Sequence, residues 1–594
     1  MQLAKRNLQR LMPKLVAVAA LVMTMSFGAV AQENESKADA PRTAGLSGRV
    51  INENGQPVSH AVVYLTSPSS LLQPHATSTD EGGNFEIGGL DSLIYNVNAS
   101  APSYVTTPRE PDSLPSYYRI GDTVEIRMLK GGVITGTVTS AAGEPMVQAG
   151  VRAILIRDGN GKPPIGSRFP IERLTDDRGM YRIYGLASGT YLVSAGGRGI
   201  NSSNAYDSDA PTYAPSSTRD AAAEIVVRGG EETTGVDIRH RGEPGHAVSG
   251  IASGPSFPNS GPNITLTQIV NGVRQSGAYG FQTFNNKGFA FYGVADGDYD
   301  LVAQSYLGPG EITASEPFRI TVKGADVSGI ELALKGLAAI SGRVVLQTSA
   351  AVECQNKRVP AFSETLLMAR RTDKDTPRDQ PAVANLFAQT SPDKAGDFVL
   401  RNLAPGQRNL TVRFFAKYWY LRSIARDIPM IPPPKSGVTS RQLDVARNGL
   451  SLKSGERVSG LTVTLAEGAA SLRGAVKPAE RESLAARLFL NLVPAEKESA
   501  EDVLRFFTVA VDSDGTFLVN NLPPGRYWAL ARVAGDSEPQ SDSRLRTPEE
   551  ADTRAQIRGA AEAAKTAVEF KPCQNVSNYE LLLKKQATQK LAGT

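Results

Sequence analysis

Residues that could bind a catalytic metal are few in this chain of 594 residues. The histidines are His60, His75, His240 and His246. A zinc peptidase needs neutral histidine and carboxylate ligands that converge on one ion, and none of the four lies in an HExxH spacing. His240 and Glu243 have an HxxE spacing, but no pattern for a third ligand lies near them. The sequence also lacks a nucleophile elbow and a P-loop. It therefore predicts no catalytic residues, no metal site, no cofactor and no enzyme activity.

Acidic residues placed just before turn glycines could instead bind calcium. They are Asp80, Asp176, Asp177, Asp512 and Asp514. Calcium prefers clustered oxygen ligands, but no run here has acids at alternating positions followed by a terminal glutamate. Aspartate also stabilises turns by accepting hydrogen bonds from the backbone two residues on. We expect Asx turns at these positions, with Ca²⁺ binding as the alternative.

Aromatic residues are densest in the segment RFFAKYWYLRSI, where Tyr418, Trp419 and Tyr420 are consecutive. Side chains alternate across a strand, so the three rings cannot all face one core. We expect at least one exposed ring here, as part of a surface that could stack on a sugar or contact a partner protein. The alternative is that the outward rings pack under the neighbouring loop PMIPPPKSG.

The two cysteines, Cys354 and Cys573, leave two alternatives open. In an exported chain they could form a disulfide. We favour two free thiols, because the residues fall in different predicted domains.

A turn-rich unit occurs five times in the sequence, and the candidate residues above lie in or near its copies. In the last copy, DSDGTFLVNNLPPGRYWALAR, the turn residue Gly515 is followed by Phe517, Leu522, Gly525 and Tyr527. The second copy repeats these offsets with Gly179, Tyr181, Leu186, Gly189 and Tyr191. The other copies start at Gly83, Gly288 and Gly396, and the copy at Gly396 has Arg408 where tyrosine is expected.

Each position of the unit has a physical reason. Gly515, like Gly179, supplies a positive φ in a hairpin turn, and Gly525, like Gly189, turns the chain sharply. Tyr527, like Tyr191, can bury its ring while its hydroxyl bonds to a backbone carbonyl, as in the tyrosine corner of sandwich folds.

Strands that carry a glycine precede each copy, and a closing strand follows it. Many short alternating strands with turn signals predict an all-β protein, a tandem array of about five transthyretin-like or Ig-like β-sandwiches. We place the sandwiches at 45–130, 131–245, 246–337, 338–468 and 469–594, and expect them to fold with little mutual dependence.

The last predicted sandwich also contains a helix. Thr547 is a suitable N-cap, Pro548 suits the first helical position, and Glu550 would complete a capping box. The helix should continue to about Ala567 and cover one edge or face of the final sandwich.

The second copy resembles a known family. GTVTSAAGEPMVQAGVRAIL followed by TDDRGMYRIYGLASGTYLVSA is similar to the carboxypeptidase regulatory-like domain, a transthyretin-like (prealbumin-like) β-sandwich. The resemblance implies a module that is usually non-catalytic, that occurs in secreted and surface proteins, and whose fold is grouped with carbohydrate-binding sandwiches. It implies fold and location more than function.

The N-terminus predicts export. Lys5, Arg6, Arg10 and Lys14 precede an apolar stretch that ends at Ala29-Val30-Ala31, so residues 1–31 are expected to be a cleaved signal peptide, with a linker at 32–44. The chain has 64 basic and 60 acidic residues, and removal of the four basic ones leaves 60 of each. A nucleic-acid partner is therefore not expected, nor is a membrane span in the mature chain.

Together these patterns predict an exported, non-enzymatic binding or scaffold protein, periplasmic or at the cell surface, with carbohydrate as one candidate ligand. The alternative is a purely structural or protein-interaction array. A third interpretation is an accessory protein of a peptidase.

Overall fold

The computed structural model describes residues 45–68, 70–91, 94–107, 116–164, 170–197, 206–256, 261–270, 273–282, 288–308, 310–371, 388–429, 440–478, 487–535 and 550–583. The predicted signal peptide and linker lie outside these ranges. Residues 44–594 form one compact unit. Within the described ranges ten sheets pair face to face, so the predicted all-β tandem array of five sandwiches is confirmed.

The first sandwich packs the sheet β4-β1-β8-β6 against the sheet β3-β2-β5-β7. Its strands are β1 (Leu46–Asn52), β2 (Val62–Ser67), β3 (Ser70–Ser78), β4 (Asn84–Ile87), β5 (Ile94–Ser100), β6 (Tyr104–Thr106), β7 (Tyr117–Arg119) and β8 (Thr123–Lys130).

The second sandwich packs β12-β9-β16 against β11-β10-β13-β14, while β17 pairs with β9 and β15 with β13. Its strands are β9 (Gly132–Thr139), β10 (Gly150–Asp158), β11 (Ile171–Leu174), β12 (Met180–Leu186), β13 (Gly189–Ala195), β14 (Thr212–Tyr213), β15 (Ile225–Val227), β16 (Glu232–Thr233) and β17 (Ile238–Arg239).

The third sandwich packs β21-β18-β25 against β20-β19-β22-β23-β26, with β24 on β22. Its strands are β18 (His246–Ser253), β19 (Asn263–Val270), β20 (Val273–Gln282), β21 (Gly288–Val294), β22 (Gly297–Gly308), β23 (Glu311–Ala314), β24 (Phe318–Val322), β25 (Val327–Ala333) and β26 (Lys335–Gly336).

The fourth sandwich packs β30-β27-β35-β32-β33 against β29-β28-β31-β34. Its elements are β27 (Ala338–Gln347), β28 (Leu366–Arg371), β29 (Gln389–Thr390), β30 (Asp397–Leu403), β31 (Gly406–Arg413), β32 (Trp419–Pro429), β33 (Ser440–Asp444), the single-turn helix α1 (Val445–Asn448), β34 (Leu450–Leu452) and β35 (Arg457–Glu467).

The fifth sandwich packs β39-β36-β42 against β38-β37-β40-β41. Its elements are β36 (Ala470–Pro478), β37 (Leu488–Pro494), β38 (Phe507–Val511), β39 (Thr516–Leu522), β40 (Gly525–Val533), α2 (Ala551–Ala564), β41 (Ala567–Phe570) and β42 (Asn575–Leu583). Short 3-10 turns occur at Arg219–Ala221, Val352–Cys354, Phe362–Glu364 and Val503–Arg505.

The first strand of each sandwich lies between two partners of the same copy. In the first sandwich β1 pairs antiparallel with β4 and parallel with the closing strand β8. The glycine of β1, Gly48, faces a backbone carbonyl of β8: a Cβ there would lie 2.0 Å from Val124 O. The equivalent distances at the other four glycines are 2.0 to 2.2 Å, so the strand glycine is required by close backbone approach.

The helix α2 covers the outer face of the β37–β40 sheet, as predicted. Ile557 and Ala561 are buried against Val493, Phe506 and Leu530. The predicted helix ends were wrong, because Glu550 is itself the N-cap residue and makes no side-chain capping bond. Thr547 and Pro548 lie outside the described residues, and the helix ends at Ala564, where Lys565 is left-handed.

Neighbouring sandwiches share buried clusters. Val503 and Leu504, from the 3-10 turn of the fifth sandwich, belong to the core of the fourth. The first sandwich also contacts the fourth, where Ile94 and Tyr117 pack on Leu366 and Met368. The expectation of little mutual dependence therefore does not fit the fourth and fifth units.

Candidate functional site

The three consecutive aromatic residues do not form an open surface. Trp419 is fully buried in the core of the fourth sandwich and donates a hydrogen bond from Nε1 to Arg358 O at 3.3 Å. Tyr418 and Tyr420 are each half-buried. The three rings therefore do not form the exposed ligand-binding surface that the sequence suggested. The loop of the alternative prediction lies outside the described residues after Pro429.

Tyr418 and Tyr420 instead lie beside the fifth sandwich. Asn575 Nδ2 donates to the Tyr418 hydroxyl at 3.3 Å, and this bond, together with nearby Lys417 and Lys357, lowers the pKa of Tyr418. Burial raises the pKa of Tyr420. The two rings are thus part of the joint between the fourth and fifth sandwiches.

Asn521 is the central residue of this joint. Its side-chain Nδ2 donates to Ala416 O and to Trp419 O, both at 2.8 Å. Its φ is +59°, in the left-handed region that asparagine tolerates better than most residues. The residue of one sandwich therefore caps two carbonyls of the preceding one.

The joint between the third and fourth sandwiches has the same construction. Asn402, with a φ of +58°, donates from Nδ2 to Gly310 O at 2.8 Å, and its Oδ1 accepts from Ile312 N at 2.9 Å. An ion pair between Arg457 and Glu311, at 3.0 Å, lies across the same joint.

Glycine occupies the equivalent position in the earlier copies. Gly293 has a φ of +69°, and a Cβ there would lie 2.5 Å from Asp207 O of the second sandwich. Gly185, with a φ of +72°, faces Tyr104 O of the first. The sequence-based reasoning missed this position, although a glycine or asparagine precedes the inward apolar residue (Leu, or Val294 in the third) in every copy.

A disulfide closes the joint between the fourth and fifth sandwiches. Cys354 and Cys573 are bonded, with Cα atoms 5.4 Å apart. The preference for two free thiols was wrong, because residues that are 219 positions apart in sequence are brought together by the packing of two sandwiches.

The repeated turn and corner residues have structural roles. Gly179 and Gly515 adopt φ values of +75° and +87° in the hairpin turns. Gly189 and Gly525 begin the corner strands, with φ values of +158° and +134°. The hydroxyls of Tyr191 and Tyr527 donate to the carbonyls four residues earlier, Ala187 O at 2.8 Å and Pro523 O at 2.9 Å.

Three of the five acids before the turn glycines, Asp80, Asp176 and Asp514, accept backbone hydrogen bonds through their side chains, as predicted. Asp176 Oδ1 accepts from Met180 N at 2.8 Å and from Arg178 N at 3.0 Å, and these bonds lower the pKa of Asp176. Backbone and side-chain hydrogen bonds likewise lower the pKa of Asp80 and of Asp514. Within the described ranges, no group of three or more His, Cys, Asp or Glu side chains could hold a metal ion.

Two histidines lie at the joint between the second and third sandwiches. His240 is 3% exposed, and its Nε2 lies 3.9 Å from Asp209 Oδ2. Burial lowers the pKa of His240, while Asp209 acts in the opposite direction. His246 Nε2 lies 3.2 Å from Asp296 Oδ1. These residues face different carboxylates and do not converge on one ion.

The fold and its joints define a tandem β-sandwich array. The family model of the carboxypeptidase regulatory-like domain matches residues 45–114, so the predicted family is confirmed for the first sandwich. No curated protein matched the chain. No helix in the described part of the chain is long and apolar enough to cross a membrane.

Several solved structures share local similarity with the chain. The Bacillus anthracis TIE protein is 16% identical, with a TM-score of 0.14 over 49% of this chain, and the chain spans 51% of that protein. A streptococcal ancillary pilin is 10% identical over 49% of this chain and 99% of its own, with a TM-score of 0.16. The minor pilin GBS52 of Streptococcus agalactiae is 14% identical over 34% of this chain and 96% of its own, with a TM-score of 0.17. Scores this low carry no argument about function.

Proposed function

We propose that the protein is an exported, non-enzymatic scaffold that holds surface components in a fixed arrangement at the cell surface or in the periplasm. The observation that supports this proposal best is the set of joints. The Asn402 and Asn521 side chains and the Cys354–Cys573 disulfide fix adjacent sandwiches to each other. A set of independent binding modules would not need such joints, since flexible linkers would serve them as well.

Carbohydrate binding, the other role suggested by the sequence, loses its candidate site. The ring that would stack most strongly, Trp419, lies in a core, and Tyr418 is engaged by Asn575. The described residues leave no open row of aromatic rings in the fourth sandwich at this place. We therefore propose the structural array, rather than a carbohydrate-binding protein.

Equivalent turn positions allow a direct test of the scaffold. Lys394 and Ser513 are exposed and occupy the same place in the hairpin turns of the fourth and fifth sandwiches, and Glu81 does so in the first. Spin labels attached there through a bio-orthogonal residue should give narrow distance distributions for the pairs 394–513 and 81–394. Broad distributions would show freely moving modules and would reject the scaffold.

A parallel measurement addresses the alternative role. The full chain should not be retained on neutral or acidic polysaccharides, and a polysaccharide series should not shift its melting temperature. Specific retention that is lost on replacement of Tyr418 and Tyr420 by Ala, with stability unchanged, would favour carbohydrate binding instead.

A further inference from the structure

A cleft lies between the first and second sandwiches. Its volume is about 310 Å³, and Tyr64, Tyr104, Leu155, Ile171 and Tyr191 are among the residues that line it. None of the described residues that line the cleft carries a charge. The volume lies at the lower end of the range of about 300–1,000 Å³ that is typical of ligand pockets.

One wall of the cleft is the outer edge of a sheet. β6 is the last strand in the sheet order β4-β1-β8-β6, and among the described residues it pairs with β8 alone. All three residues of this strand, Tyr104, Val105 and Thr106, line the cleft. Because successive side chains point to opposite faces of a strand, three consecutive residues can line one cleft only along the strand edge.

The hydrogen-bond pattern shows which backbone groups face that edge. Gly131 N donates to Ser103 O at 2.8 Å, so residues 103 and 131 form a hydrogen-bonded pair. Such pairs alternate along an antiparallel ladder, so the pair Val105–Leu129 is also hydrogen-bonded. The backbone groups of Thr106 therefore point away from β8, toward the outer edge. The carbonyl of Tyr104 also points away from β8, but it faces Gly185 of the second sandwich.

The opposite wall comes from the second sandwich. Leu155 and Leu186 are buried there, and Ile171 is half-buried at the start of the edge strand β11. These side chains offer apolar contacts to alternate residues of an extended segment that lies along β6.

We propose that this cleft binds an extended, uncharged peptide segment of a partner protein, which adds as a strand to the outer edge of β6. Main-chain hydrogen bonds to Thr106 would supply affinity, and the apolar wall would select the side chains. An uncharged lining favours an uncharged occupant, because a charge placed there would lose water without gaining a partner. The inference goes beyond the scaffold role, since binding at this cleft does not depend on rigid joints elsewhere.

The test uses the full oxidised chain and a phage-displayed library of random heptapeptides as the probe. Enriched peptides should be uncharged and rich in β-branched residues, and a capped synthetic copy should slow the exchange of the Thr106 amide. Isothermal titration should show that Thr106→Glu and Thr106→Pro each weaken binding by about tenfold or more, since one adds a charge and the other removes an edge donor.

Thr107→Glu is the matched control. Thr107 is exposed, adjacent in sequence and not part of the cleft lining, and its Oγ1 donates to Arg127 O on the β8 side at 3.1 Å. This variant should change the affinity by less than about twofold. Equal losses in both glutamate variants, enrichment of charged peptides, or no protection of the Thr106 amide would overturn the proposal. Competition by a neutral oligosaccharide with the same protection would overturn it in favour of a sugar site.

Discussion

Arg408 donates a hydrogen bond from Nη2 to Ala404 O, 2.6 Å away. In the other four sandwiches, a tyrosine hydroxyl donates the same bond to the carbonyl four residues earlier; these residues are Tyr95, Tyr191, Tyr299 and Tyr527. A buried guanidinium therefore takes the structural place of a phenol in the fourth sandwich, where Arg408 is 2% exposed.

We expect Arg408→Ala to destabilise the fourth sandwich by about 3–5 kcal/mol, because it leaves a cavity and removes the donor to Ala404 O. Arg408→Tyr should cost much less, since a phenol can reach the same carbonyl, as it does elsewhere in the chain. Urea unfolding followed by Trp419 fluorescence, in a Trp528→Phe background, measures both. Equal losses of unfolding free energy in the two variants would mean that the hydrogen bond to Ala404 O contributes little.

Asn521→Gly should weaken the joint between the last two sandwiches by about 1–2 kcal/mol, because it removes two hydrogen bonds while keeping the left-handed backbone free of strain. Asn521→Ala should cost about 1 kcal/mol more, because alanine resists a positive φ. The free energy of unfolding of the fifth sandwich, followed by Trp528, reports both. Asn578 is exposed, has a φ of +58° and lies in the same sandwich, so Asn578→Gly is the control that should change little.

Removal of the disulfide by Cys354→Ser with Cys573→Ser should loosen the same joint. The closed loop spans 219 residues, for which the chain-entropy model gives an upper limit of about 5 kcal/mol. The distance distribution between labels at 394 and 513 should broaden, whereas that between 81 and 394 should not. An unchanged 394–513 distribution would show that Asn521 and the shared core hold the joint without the covalent bond.

Gly189→Val should be more destabilising than Gly525→Val. A Cβ at Gly189 would lie 2.4 Å from Arg157 O, which is backbone and cannot move away easily. At Gly525 the nearest atom, at 2.7 Å, is Nη2 at the end of the Arg505 side chain rather than backbone, although the φ of +134° adds strain. Thermal unfolding of the two variants gives the order, and the reverse order would contradict the steric argument.

The second sandwich should lose stability on acidification because of His240. Burial lowers the pKa of His240 in the folded state, so below the ordinary value of about 6.5 the unfolded chain binds a proton that the folded sandwich does not. The free energy of unfolding should therefore fall between pH 7.5 and pH 5. Hydrogen exchange of β13 measures it locally, and His240→Gln should flatten the profile. Identical profiles for the two proteins would exclude His240 as the cause.

The sandwiches and their corners were predictable from the sequence because their determinants are local. A turn glycine, an inward aromatic and a tyrosine that bonds four residues back all lie within one hairpin unit, so fixed offsets are enough to find them. Residue-by-residue alternation showed that the three consecutive rings could not share one core, but it did not decide whether Trp419 faces inward or what covers Tyr418 and Tyr420.

The joints were not predictable because they depend on how one copy packs on the next. Cys354 and Cys573, or Asn521 and Ala416, meet only after two sandwiches have formed, and no periodicity in the chain encodes that packing. The asparagines and glycines at the joint position were visible as a pattern, but their left-handed backbone belongs to an inter-sandwich contact rather than to a turn within the copy.

The parallel pairing of first and closing strands has a mechanical consequence. In the fourth sandwich, β27 and β35 pair in parallel over residues 339–347 and 457–466. A chain that is pulled at the two ends of this sandwich loads both strands along their length in opposite directions. The hydrogen bonds between β27 and β35 are then loaded in shear, so that many of them must break together instead of one after another. The same pairing occurs between β1 and β8, between β18 and β25 and between β36 and β42, so each of these units should resist tension far better than its thermal stability suggests.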